Sequence, residues 1–113
     1  MRINNKTKNK ALAEDAVMAS SLFSRMKGLL GRKEFKKGQA LILAPCNSIH
    51  TLFMRFPIDI VFLDKNKRIL RIIPSLQPFR LSGIYFNAAY AVELPAGTAE
   101  DRSSSLGDVL AFE

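Results

Sequence analysis

The clearest local pattern in the sequence is IDIVFLDKNKRILRII, residues 58–73. Two runs rich in Ile, Val, Leu and Phe flank the polar segment Asp64–Lys67. Each run is too short for a stable helix, and the polar break carries Asp and Asn, which turn a chain by bonding their own backbone. The pattern predicts a β-hairpin with its turn at Asp64–Lys67.

The same grammar repeats on either side of this hairpin. QALILA (39–44), SIHTLFMR (48–55), AAYAVELP (88–95) and DVLAF (108–112) are further β-rich runs. Pro45, Pro57, PSLQP (74–78), AG (96–97) and LG (106–107) punctuate them. With the two arms of the hairpin, this makes six strands within about 75 residues. ALAEDAVM (11–18) is ambiguous between strand and helix. Helical spacing occurs once, where Leu22, Phe23, Met26, Leu29 and Leu30 recur on one face, Ser20 or Ser21 can cap the start and Gly31 the end. The expected fold is mostly β: a single compact antiparallel β-barrel or sandwich-like domain with one principal α-helix at about 21–30.

At 113 residues the chain is one domain by size, and its 48% hydrophobic and 24% charged residues are ordinary for a globular protein. The net charge of +7 is uneven. Residues 1–40 hold ten Lys/Arg against three Asp/Glu, whereas residues 41–113 hold seven of each. The basic start MRINNKTKNK has no apolar run behind it, so residues 1–8 are expected as a flexible tail before a domain spanning 9–113. Basic charge could dock nucleic acid or a membrane surface, but no nucleic-acid-binding signature accompanies it, so nucleic acid is an unlikely partner. The apolar region 39–63 is interrupted by Pro45, His50, Arg55, Pro57 and Asp59, so no transmembrane helix is expected. A single cysteine excludes an intrachain disulfide and multi-cysteine zinc sites. A free thiol fits a reducing compartment, and a soluble, cytoplasmic monomer is the expectation.

FSRMKGLLGR (23–32), GQALILAPC (38–46), IHTLFMRFPIDIVFLD (49–64), AVELPAG (91–97) and the closing LGD (106–108) together resemble DUF192, a family of small uncharacterised bacterial and archaeal domains. The resemblance runs from about Ala16 to Phe112. It implies a compact, mostly β domain and no particular reaction. By position, Arg25, Gly28, Leu29 and Arg32 match the family's first signature. Met54, Pro57 and Asp59 match the central one, and Glu93, Gly97, Gly107 and Asp108 the closing ones.

Three chemistries compete in PCNSIHTLFMRFPID (45–59). Cys46, His50 and Met54, four residues apart, resemble a blue-copper ligand loop, which needs a second histidine that this chain lacks. On one regular strand, neighbours four apart would also lie roughly 13 Å from each other. No metal and no cofactor is therefore expected. Cys46 and His50 could instead form a nucleophile and base oriented by Asp59, the basis of a thiol- or carboxylate-dependent, hydrolase-like enzyme. The bland alternative is a buried thiol and a structural histidine. Asp59 and Glu93 pose a different question, because a carboxylate in an apolar strand must be paired or accept several hydrogen bonds. Candidate partners are turn amides, Thr51, Arg25 and Arg32. One outcome is structural; the other is a small polar cleft in which Asp59, Glu93, His50, Thr51 and an arginine converge on a ligand. The preferred function is a non-enzymatic binding or accessory module for a small polar ligand or a protein partner, with the enzyme and a weak metal binder as alternatives.

Overall fold

The structure, a computed structural model, describes residues 1–19, 34–52 and 54–113. Its centre is the hairpin at 58–73. Ile58–Leu63 (β6) and Ile69–Leu76 (β7) pair antiparallel, with Val61 opposite Ile72. Asp64 makes the turn. Its Oδ1 accepts the backbone N–H of Asn66 at 2.8 Å and of Arg68 at 3.0 Å, and Lys67, with φ 62°, donates its N–H to the Asp64 carbonyl.

Three more strands complete the central sheet: Tyr90–Pro95 (β9), Gln39–Leu43 (β4) and Asp15–Ala19 (β3). The order is β3-β4-β9-β6-β7, antiparallel except for the parallel pair β3–β4. The exception departs from an all-antiparallel sheet for a simple reason. Residues 20–38 separate these two strands, room enough for a parallel connection, which needs about a dozen residues or more. The helix expected at 21–30, with Arg25 and Arg32, lies outside the described residues.

Two smaller sheets cover the faces. Ile3–Asn5 (β1) runs between Lys10–Ala13 (β2) and Leu110–Phe112 (β10), while Ser48–His50 (β5) and Leu81–Ile84 (β8) form a separate ribbon. A short helix, Thr98–Asp101 (α1), follows β9. The result is a mostly β, sandwich-like domain, and the chain passes from the small sheet to the central one at Glu14, between β2 and β3.

Every residue of β6 is buried, because both faces of the central sheet are covered. Val61, Leu63, Val92 and Leu94 pack with Ile3, Leu12 and Leu110 from the small sheet. Ile58, Ile60 and Phe62 point the other way, into a layer with Leu41, Leu43, Cys46, Ile49 and Met54. The Phe62 ring lies 4.8 Å from that of Tyr85.

The first eight residues are not a tail. Ile3 is fully buried and pairs with both Phe112 and Ala13, so the domain begins by residue 3 rather than 9. The lysines that looked like a solvated run are tied to the carboxy-terminal end: Lys6 to Glu113 at 2.7 Å and Lys8 to Asp108 at 2.9 Å. Buried Asn5 also donates to Asp108 at 2.8 Å. Burial pushes the Asp108 carboxyl up, but the hydrogen bonds from Asn5, Lys8 and the Ser105 N–H outweigh it and hold the group below its ordinary value.

Candidate functional site

The residues of the 45–59 stretch point in different directions. Cys46 is buried, and its thiol donates to the Ser48 carbonyl two residues on, at 3.2 Å. His50 is exposed on β5, while Ile49 beside it is buried, as strand alternation demands. Met54 is buried in the layer that holds Cys46. Among the described residues no hydrogen bond joins Cys46 to His50, and no group of three His, Cys, Asp or Glu side chains could hold a metal. Thr51 is buried and fully used. Its hydroxyl donates to the Gln77 carbonyl at 2.6 Å and accepts the Arg80 N–H at 2.9 Å, fastening the ribbon to the loop after β7.

Asp59 is completely buried, on the face shared with Val61 and Leu63. Its carboxylate accepts three backbone N–H groups: Ser75 at 2.9 Å, Gly97 at 3.1 Å and Ala99 at 2.9 Å. Two of these belong to the start of α1, where amides have no partner within the helix and a negative charge is favoured. The third comes from Ser75, whose φ of 48° marks an irregular turn of β7. Asp59 thus locks β7 and α1 onto β6. The sequence pointed to turn amides but not to these; the Gly97 of PAG, with φ 90°, is the signal that the chain turns there.

Glu93 lies on the neighbouring strand but on the opposite face. In the β6–β9 register Asp59 faces Leu94 and Ile60 faces Glu93, and β4 places Leu41 against Glu93 on its other side. Cross-strand partners share a face, so Glu93 sits between Leu41 and Ile60 in the apolar layer. The two carboxylates therefore cannot converge on one ligand. Glu93 keeps only 6% of its surface exposed, and among the described residues no hydrogen bond or ion pair reaches its carboxyl. Burial alone pushes it up to about 7. Separately, Pro45, Cys46, Asn47, Ser48 and Ala88 line an open depression of about 280 Å³.

A family model for DUF192, described as an uncharacterized ACR, matches residues 3–112. The chain belongs to the DUF192 family. A UPF0127 protein of Pyrococcus furiosus is 33% identical over 94% of this chain and 93% of its own length. A second, from Pyrococcus horikoshii, is 31% identical over 94% of each. Among solved structures, a Novosphingobium aromaticivorans protein of unknown function superposes with a TM-score of 0.84 at 17% identity, covering 98% of this chain and 82% of that one. A Sinorhizobium meliloti protein described as a candidate transcription regulator gives 0.79 at 20% identity, covering 97% and 89%. At such identities the likeness is one of fold. Within this DUF192 chain, several positions that carried the resemblance have structural work. Gly97 donates to Asp59, Asp108 binds Asn5 and Lys8, and Gly107 takes φ 88° in the turn before β10. Glu93 has no bonded partner among the described residues.

Proposed function

We propose that the domain is a non-enzymatic binding module whose ligand contact is Glu93. The observation that supports this is the contrast in commitment. Asp59 and Thr51 have their polar atoms bonded inside the fold, and the Cys46 thiol is held by its own loop. Glu93 is a buried carboxyl on an apolar sheet face with no partner among the described residues. A group of this kind favours a ligand that brings the missing donor, an amine or guanidinium whose cation meets Glu93. The thiol-enzyme and metal readings gain no comparable support from Cys46 or His50.

The test uses n-butylguanidine and n-butylamine as probes at pH 8, where the Glu93 carboxyl is ionised. Both should raise the melting temperature of the wild-type protein with concentration, and neither should raise that of Glu93→Gln. Equal responses of the two proteins, or none in the wild type, would overturn the reading.

A further inference from the structure

The β5–β8 ribbon turns an apolar face to solvent. Ser48 pairs with Ile84 and His50 with Leu81, and a bulge between the two pairs lets Leu81 and Ile84, three residues apart, share the outward face with Ser48 and His50. Alternation extends the pattern beyond the strands. Ile49, Thr51 and Tyr85 turn inward, while Leu52 and Phe86 turn outward. Leu81, Ile84 and Phe86 are 72%, 59% and 85% exposed, and Leu52 and Phe79 are 38% and 59% exposed. Single exposed apolar residues are common, but Leu81 and Ile84 on the ribbon with Leu52 and Phe86 beside its ends form an apolar surface.

Charge decides what it meets. Between residues 35 and 58 and between 65 and 92 there is no Asp or Glu. His50 lies on the ribbon, Arg80 directly precedes β8 and Arg55 lies in the loop that follows β5, all exposed, and neither arginine pairs with a carboxylate among the described residues. A second copy docked by a two-fold axis would bring two sets of these arginines into one interface with no carboxylate from these segments to pair them. The apolar side chains also project from the ribbon; the open depression nearby is lined by other residues. Projecting apolar groups ringed by cations suit a surface that is apolar beneath and anionic on top.

We propose that the outward face of the β5–β8 ribbon docks this protein on an anionic lipid bilayer. Leu81, Ile84 and Phe86 enter the boundary between headgroups and acyl chains, and Arg80 and Arg55 meet lipid phosphates. This does not depend on the Glu93 reading, since the two involve different residues and surfaces.

Flotation of the full chain with vesicles tests it, using phosphatidylcholine alone and phosphatidylcholine mixed with phosphatidylglycerol. The wild type should float with the mixed vesicles, less at high salt, and poorly with phosphatidylcholine alone. Leu81→Ser and Phe86→Ser should each weaken binding by about tenfold, and Arg80→Glu should weaken it selectively for anionic vesicles. All three positions are exposed, so melting temperatures should match the wild type. Failure of the wild type to float, or flotation of Leu81→Ser like the wild type, would overturn the proposal. So would a wild-type dimer in solution that Leu81→Ser converts to monomer, because the face would then belong to a second copy.

Discussion

Asp59 and Glu93 sit on adjacent strands, one register step apart, and both are buried; nothing else about them is alike. Asp59 gathers three backbone donors from β7 and the start of α1. Glu93 faces Leu41 and Ile60, and burial alone raises it to about 7. Burial by itself therefore says little about a carboxylate. What matters is the donors that the fold brings to it, and the pleat sends these two side chains to opposite layers with opposite supplies. One carboxylate is a fastener, and the other has no hydrogen-bond or ion-pair partner among the described residues.

Asp59→Leu should have the largest effect. It removes the acceptor of three amides, that of Ala99 buried and those of Ser75 and Gly97 partly buried, and a buried orphaned donor costs about 1–3 kcal/mol. The expected loss is about 3 kcal/mol or more, against a total stability of roughly 5–15 kcal/mol for a domain of this kind. Urea unfolding should show a midpoint lowered by about 1 M or more, at about 1–3 kcal/mol per M. Asp59→Asn keeps one acceptor but presents an NH₂ to an amide donor, and should lose less. A variant with wild-type stability would show that the three amides find other partners and that Asp59 is not the fastener.

Much of this frame was readable without the structure, and the unreadable parts have a common cause. The 58–73 hairpin is local: its strands are neighbours in sequence, and Asp64 bonds the amides of its own turn. The placement of Asp59 with Val61 and Leu63 also needs only alternation along one strand. Strand β1 is different. INN has little strand character, and Ile3 is held by pairing with Phe112, at the far end of the chain. Strand β8 was hidden because Leu81 and Ile84 face solvent and a bulge breaks their alternation. The relation of Asp59 to Glu93 depends on the parity of the β6–β9 register, and a one-residue slip would put them on the same face. No local pattern encodes that parity, so the expected convergence of the two carboxylates could only be tested by the register itself.

Glu93→Gln measures the other half of the comparison, through pH. The ordinary value is 4.5 and the folded value is about 7, so between them the unfolded chain ionises while the folded protein keeps the proton. Wild-type stability contributed by Glu93 is present below about pH 4.5 and falls until about pH 7, by roughly 3 kcal/mol in total. Glu93→Gln should lose this slope and be the more stable protein at pH 8, by up to that amount. Urea midpoints across pH 4 to 8 check it. A parallel pH dependence in both proteins would mean that Glu93 has a donor and belongs with Asp59.

Thr98 offers the smallest and most discriminating step. It is fully buried at the first position of α1, between Gly97 and Ala99, whose amides both bond Asp59. Its own hydroxyl has no partner among the described residues. Thr98→Val keeps the branched shape and removes only that hydroxyl, in a helix position where the two residues have similar propensity. An unbonded buried hydroxyl is a burden to the fold, so the variant should be unchanged or more stable by up to about 1 kcal/mol, a rise of a few degrees in melting temperature. The Asp59 cluster should survive intact, because its donors are backbone amides that the substitution leaves in place. A loss of more than about 1 kcal/mol would show that the Thr98 hydroxyl is bonded. The start of α1 would then be held by side chain as well as backbone, and the contrast with Glu93 would widen.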